Sequence, residues 1–491
     1  MTRKLLSIDV GTTSTRAIIF NENGGIESIC QNPIDLIYPQ DGWVEQDPQA
    51  LVEKTIDAVR KVLGQEENLS DVIAAGITNQ RETTILWDKK TGEPVYNAIV
   101  WQDRRTAKYC ATLKRANIEE MVQEKTGLLL DPYFSATKIK WILDNVEGAR
   151  ARAENGNLLF GTVDCYVLWH LTGGRVHATD VTNASRTMLY NIIGQNWDRD
   201  LLKLFDIPKE ILPIVNDNIF DYGRIDADVF QGDIPIGGMA GDQQSALVGQ
   251  GCVHPNMAKS TYGTGCFALV NIGSEVRYSK HKLLTTIGYK IGDDIAYAIE
   301  GSIFNAGTAI QFLRDNLGLF ADAGESDAMA RAVKDNGEVY FVPAFTGLGA
   351  PYWNPDARGV LTGITRDTSK EHIVRAALEA QGYQTRDLMD AMERDSGAQI
   401  TTLRADGGLT SNDFMCQFLS DILDVAVEVP RVSEATAWGA AYLAGLQYGV
   451  FSSLGECAGK WSAQKTYHPK AQKTDMDTLY SKWKVAVEKT F

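Results

Sequence analysis

The chain has 491 residues, 44% hydrophobic and 23% charged, with a formal net charge of −15. That length predicts two to four folded units at roughly 150 residues each, large enough to bury cores without disulfides or a structural metal. The acidic balance excludes a nucleic-acid partner, whose phosphate backbone demands clustered Lys and Arg, yet leaves room for a local anion site built from backbone N–H groups.

From Met1 the sequence runs into an apolar stretch broken at Asp9, too short for a signal-peptide core. No run of about 18 apolar residues predicts a membrane span. Residues 5–9 read as a strand, 11–14 as a polar Gly turn, 15–20 as a second strand, 23–25 as a turn and 26–30 as a third strand. Asp47 is placed to cap a helix beginning at Pro48, with Leu51, Thr55, Val59 and Val62 on one face. A strand over 72–78 and another ending at Trp87 follow, then alternating helices and strands to about residue 245. The opening pattern then returns: strand 259–262, turn Gly263-Thr264-Gly265, strand 266–271. Later come residues 337–343, a long amphipathic stretch over 370–393, and a strand over 401–405 that ends in Asp406-Gly407-Gly408. Without tandem repeats, this predicts two α/β domains, residues 1–247 and 248–491, each opening on a β-turn-β hairpin, with ligands in the cleft between them. The cysteines (Cys30, Cys110, Cys165, Cys252, Cys266, Cys416, Cys457) form no C-x-x-C pair, which fits a reducing cytoplasm and argues against a zinc site.

Three Gly-rich turns suit parts of a nucleotide, two of them its phosphates and the third its nucleoside. In Asp9-Val10-Gly11-Thr12-Thr13-Ser14-Thr15-Arg16 a strand-end carboxylate precedes Gly and hydroxyls. Gly admits close backbone approach, N–H groups and hydroxyls donate to phosphoryl oxygens, and Asp9 can hold hydrated Mg²⁺. A plain hairpin with solvated hydroxyls fits the same residues. Tyr262-Gly263-Thr264-Gly265-Cys266 is a second such turn, open to the same bland reading. In the third, the strand entering Asp406-Gly407-Gly408 can expose backbone to an adenine–ribose unit, with Asn412 supplying an amide; otherwise it is a strand-to-helix loop. Together, in order and in separate halves, they fit a nucleotide. No P-loop and no protein-kinase signature is present.

Asp242 follows a glycine-rich apolar strand, 234–240, where it can accept the proton of a hydroxyl attacking phosphorus, or cap a helix over 244–249. Arg81 and Glu82 offer donors and acceptors to a small neutral polyol, or form a surface salt bridge worth little. Trp101, Tyr133 and Phe267 are either apolar walls for a polyol's C–H edges or core residues.

These segments together resemble the FGGY carbohydrate kinases, a family that includes xylulokinase, gluconate kinase and glycerol kinase. Further runs carry the resemblance along essentially the whole chain: Gly42-Trp43-Val44-Glu45, residues 76–84, 96–102, Asp180 with 182–189, 240–244, Pro343-Ala344-Phe345, 347–353 and 438–445. It implies a two-domain actin/hexokinase/Hsp70-like ATPase fold of ribonuclease H-like domains with an interdomain cleft, the N-terminal one binding polyol and phosphate and the C-terminal one nucleotide. It also implies ATP- and Mg²⁺-dependent phosphorylation of glycerol. By resemblance, Arg81, Glu82, Tyr133, Asp242 and Gln243 contact glycerol hydroxyls, Trp101 and Phe267 pack on its carbon edge, and Asp242 is the general base. Thr12, Thr13, Ser14 and Arg16 contact phosphates, Asp9 lies near Mg²⁺, and Thr264, Gly307, Gln311, Gly408 and Asn412 line the ADP site. A cytoplasmic homodimer or homotetramer is the implied state. Val10, Thr15 and Asp103 depart from the family's usual Gln, Ser and Cys, and Leu409 and Trp438 are bulkier than usual, placed by this reading on the nucleotide side. Residues 225–233 lack the Gly-Gly-x-Arg loop by which some members bind fructose 1,6-bisphosphate, which argues against that control. Two other readings stand beside this one: a kinase for a ketopentose or four-carbon polyol, and a non-catalytic or chaperone-like nucleotide-binding protein of the same fold.

Overall fold

The computed structural model describes residues 3–354 and 356–491; Met1 and Thr2, where the N-terminal reading began, lie outside them. Strands β1 (Lys4–Val10), β2 (Ser14–Asn21) and β3 (Ile26–Pro33) form an antiparallel meander, its first turn at residues 11–13. Helix α1 (Pro48–Leu63) follows, and Asp47 Oδ1 caps it by accepting from the Gln49 and Ala50 amides at 2.9 and 3.3 Å. Its four predicted facing residues are all buried. Strands β4 (Val72–Asn79) and β5 (Ile236–Gly241) then join in parallel, giving the order β5-β4-β1-β2-β3. Helix α2 (Asp242–Gly249) continues directly from β5.

The second half builds a seven-stranded sheet from β6 (Ala258–Tyr262), β7 (Cys266–Gly273), β8 (Leu284–Ile291), β9 (Asp294–Ile303), β10 (Thr402–Asp406), β11 (Ala426–Pro430) and β12 (Ala463–Tyr467). The order is β8-β9-β7-β6-β10-β11-β12, with β6 antiparallel to β7 and parallel to β10. Its inner strands β9-β7-β6-β10-β11 repeat the N-terminal succession β3-β2-β1-β4-β5, so the two hairpins seen in the sequence open two copies of one architecture. Helix α3 (Lys370–Ser396) starts where its pattern predicts and runs three residues further, stopping at Gly397, whose φ of +68° ends it in the left-handed region. Residues 337–343 yield one short strand, Tyr340–Val342, paired with Val360–Thr362.

After α4 (Asp413–Leu423), helix α5 (Ala435–Gln447) leaves its own half and packs on the N-terminal sheet. Glycines permit this. A Cβ on Gly439 would sit 1.9 Å from the Ser245 carbonyl oxygen in α2, and one on Gly76 in β4 would sit 2.0 Å from that of Ala440. Position 247, where the sequence reading divides the chain, therefore lies inside a helix that is locked against a helix of the other half. Trp438 corrects an expectation here. It is not on the nucleotide side but buried in this crossing, 5.4 Å from the Phe20 ring, because the surrounding Ala and Gly let the backbones close around one large ring. Among the described residues no helix is long and apolar enough to cross a membrane.

Candidate active site

The carboxyl ends of β4 and β5 deliver the chemistry. Just past β4 stand Gln80, Arg81 and Glu82; just past β5 stands Asp242. All seven residues expected to contact a polyol line one cavity of about 170 Å³, together with Thr12 and Thr264. Trp101 forms its apolar wall with Tyr133 and Phe267, edge-on at 5.5 and 5.9 Å.

Arg81 and Glu82 are not a surface pair. Both are buried, only 2% and 1% exposed, and their charged atoms lie 4.0 Å apart. Each is paired elsewhere: Arg81 Nη1 and Nη2 donate to Glu300 at 2.5 and 3.0 Å, and Glu82 Oε1 accepts from Arg186 Nε at 2.6 Å. Glu82 adopts φ +61°, a costly conformation for a residue with a side chain. Its carbonyl is held by the Ser135 hydroxyl at 3.0 Å and by Lys138 Nζ at 3.3 Å. Lys138 also donates to the Tyr133 carbonyl at 2.6 Å, so one fully buried ammonium ties two cavity residues together. Desolvation brings that ammonium down to about 8.

Asp242 does not cap α2. Gly241 is the N-cap, and Asp242 opens the helix with its carboxylate 3.1 Å from Arg81 Nε and accepting from the Gln243 amide at 2.7 Å. Burial pushes its carboxyl above the usual range, against the pull of Arg81 and Lys259. The preceding peptide is fixed from behind: the Gly241 amide donates to Thr182 Oγ1 at 3.0 Å, and Thr182 is held by Asp180, which burial lifts to about 7. Lys259, fully buried, donates to Gln243 Oε1 at 2.5 Å and orients that amide toward the cavity rim.

The three Gly-rich turns lie at or next to this cavity. Trp101 Nε1 donates to Thr12 Oγ1 at 3.0 Å, joining the first turn to the cavity wall. Thr13 is exposed and Ser14 half-buried at the start of β2. In the second half, the Gly307 and Ala306 amides donate to the Gly263 and Thr264 carbonyls at 3.0 Å each. Gly407, at φ +92°, brings the third turn so close that a Cβ there would sit 2.4 Å from the Tyr262 carbonyl oxygen. Thr264, Gln311 and Gly408 are exposed. Asn412 Oδ1 caps α4 by accepting from the Met415 amide at 2.8 Å, and its Nδ2 donates to Ser326 Oγ at 3.0 Å.

Asp9, 3% exposed, pairs with Arg16, which also reaches Glu434 in the other half. Among the described residues no group of three His, Cys, Asp or Glu side chains is set to cage a metal. One buried carboxylate beside hydroxyls fits Mg²⁺ that keeps water and phosphate ligands.

Arg186, Glu300, Lys138 and Lys259 were not assigned from the sequence. Arg186 lay in a run carrying the family resemblance, and Glu300 is a carboxylate amid the apolar run of β9, a signal in itself because an unpaired buried charge is untenable. The Asp103 departure is absorbed locally: buried, it accepts from the Val44 amide at 2.7 Å and from Arg105 at 2.9 Å.

Comparison with known proteins places these residues in context. Residues 4–249 match the N-terminal domain, and residues 258–448 the C-terminal domain, of the FGGY family of carbohydrate kinases. The chain is 60% identical to a glycerol kinase of Nitrosomonas eutropha, over 99% of this chain and 97% of that one. It is 55% identical to a glycerol kinase of Marinomonas, covering 100% and 99%. It resembles the crystal structure of Plasmodium falciparum glycerol kinase with ADP at TM-score 0.93 and 36% identity, covering 100% and 98%. A ligand-bound xylulose kinase of Lactobacillus acidophilus shares the fold at TM-score 0.87 and 21% identity, over 99% and 97%.

Proposed function

The chain belongs to the FGGY family of carbohydrate kinases, and from that membership we propose that it transfers the γ-phosphoryl group of ATP to glycerol, yielding sn-glycerol 3-phosphate in glycerol catabolism. The observation that carries this reading is the single cavity that gathers Arg81, Glu82, Trp101, Tyr133, Asp242, Gln243 and Phe267 from both halves. At about 170 Å³ it is a small cavity, which suits a short polyol.

In this reading glycerol lies against Trp101, Tyr133 and Phe267, its hydroxyls donating to Glu82 and Gln243 and accepting from Arg81. Asp242 takes the proton of the terminal hydroxyl as that oxygen forms its bond to the γ-phosphorus, and the bond to the β,γ-bridging oxygen breaks to release ADP. Thr12, Thr13, Ser14 and Arg16 receive phosphates on one side, with Thr264 and the Gly307 and Gly408 backbone on the other. Gln311 and Asn412 lie along the nucleotide's path, Asn412 at the α4 cap. Mg²⁺ bound with ATP would neutralise phosphate charge, with Asp9 holding it through water. Residues 1–247 supply the polyol and phosphate side and 248–491 the nucleotide side. A cytoplasmic homodimer or homotetramer belongs to the same reading; seven free cysteines, six of them buried, agree with a reducing compartment.

The test of the site is Asp242→Asn. Calorimetry should find glycerol binding retained, while turnover falls by about 10²–10⁴-fold, the span a general base contributes. Turnover near that of the parent protein would remove Asp242 from the role.

A further inference from the structure

Glu300 projects from β9 with no exposed surface. Its Oε2 accepts from Arg81 Nη1 at 2.5 Å, and its Oε1 accepts from Arg81 Nη2 at 3.0 Å and from Arg186 Nη2 at 2.9 Å. Gln244 Oε1 takes a further Arg81 N–H at 3.2 Å. Arg81 is thereby fixed on its far edge, and its Nε is the donor left facing Asp242. Arg81 and Glu82 in the cavity lining, with Arg186 and Glu300 behind them, thus form a cluster of two guanidinium groups and two carboxylates whose formal charges cancel, and Glu300 alone among them comes from the second half of the chain.

We propose that Glu300 is a positioning residue for phosphoryl transfer: it reaches across the two halves, holds Arg81 in a two-toothed ion pair, and cancels the charge that Arg81 would otherwise impose on Asp242. The inference rests on the reading of Asp242 as the base. An uncompensated guanidinium 3.1 Å from a carboxylate favours its charged form and makes it a weaker proton acceptor. Glu300 opposes that effect from behind. The other groups facing this cluster do not substitute for it: Lys259 adds positive charge, Glu82 is matched by Arg186, and burial keeps the Tyr133 phenol neutral. A bidentate pair also sets direction, which a single hydrogen bond would not.

The experiment is steady-state kinetics of the full chain across pH, for Glu300→Gln, Glu300→Asp and Asp242→Asn. In E300Q, kcat/KM for glycerol should fall on the order of 10²-fold, the effect of misplacing a substrate-orienting group, with KM for ATP little changed. Its acid limb in kcat/KM should move to lower pH, because one uncancelled positive charge now faces Asp242. E300D keeps the charge with a shorter reach, so its limb should stay in place while KM for glycerol rises. A merely structural role would not move the limb. An E300Q with the parent's glycerol KM and acid limb overturns the proposal. If E300Q does not fold, E300D decides: an unchanged glycerol KM overturns, and a raised KM with an unmoved limb supports. D242N that keeps turnover would remove the base assignment and the proposal with it. An inactive D242N beside an unaltered E300Q would overturn the proposal alone.

Discussion

Asp242 stands between burial, which pushes its carboxyl above the ordinary 3.8, and the charges of Arg81 and Lys259, which pull it down; burial wins. A base must be deprotonated to act, so activity is lost as pH falls through that raised value. The acid limb of kcat/KM for glycerol should therefore lie above the range of a free aspartate, and it should vanish in D242N. A profile flat down to the ordinary carboxylate range would contradict the assignment. Of the residues that line the cavity, Arg81, Glu82 and Asp242 were legible from the groups they carry, whereas Gln243, Trp101, Tyr133 and Phe267 were assigned through the family resemblance, and Gln102, Thr261 and Phe304 were not assigned. Their supports were not legible either. Glu300 lies 219 positions from Arg81 and Arg186 lies 104 positions from Glu82, and only the fold brings such charges together. Asn412 has a second role that the sequence reading did not assign: its side chain caps the start of α4.

At the scale of elements, the two hairpins and α1 follow from local rules, Gly turns between apolar strands and an Asp-Pro helix start, and they stand where the pattern places them. The α2–α5 crossing follows from no local rule, since Ala- and Gly-rich helices read only as buried. Its glycines make it testable. Gly439→Ala should destabilise by about 1–3 kcal/mol or more, because its Cβ meets backbone at 1.9 Å. Gly459→Ala, at an exposed position of the helix Leu454–Lys460 with nothing within 4 Å, should instead stabilise by about 0.5–1 kcal/mol. Urea titration of both variants checks the contrast, and equal effects would deny the close crossing. Gly407→Ala addresses the third turn. With φ +92° and the Tyr262 carbonyl in the way, the loop from 406 to 412 must shift. Strain of about 1–3 kcal/mol there should raise KM for ATP roughly tenfold, with KM for glycerol retained. Parallel increases in both constants would place this turn outside the nucleotide side.

For the whole molecule, each half brings what the other lacks. Asp242, Arg81, Glu82, Trp101 and Tyr133 come from the first, Phe267, Thr264 and Glu300 from the second, and α5 returns to the first sheet to bind the halves together. Closure of the halves on substrate would exclude water, and hydrolysis of ATP without an acceptor should stay low. The duplicated sheet order was foreshadowed by the repeated Gly-Thr hairpins, whereas the passage of α5 between halves depends on packing at long range. The most direct measurement is ADP release from Mg·ATP by the purified protein, alone and with glycerol, xylulose, ribulose or erythritol. Strong stimulation by glycerol, with little by the others, is the predicted result. Preference for another acceptor would overturn the reading of the cavity, and no stimulation by any of them would contradict the assignment as a kinase of small polyols.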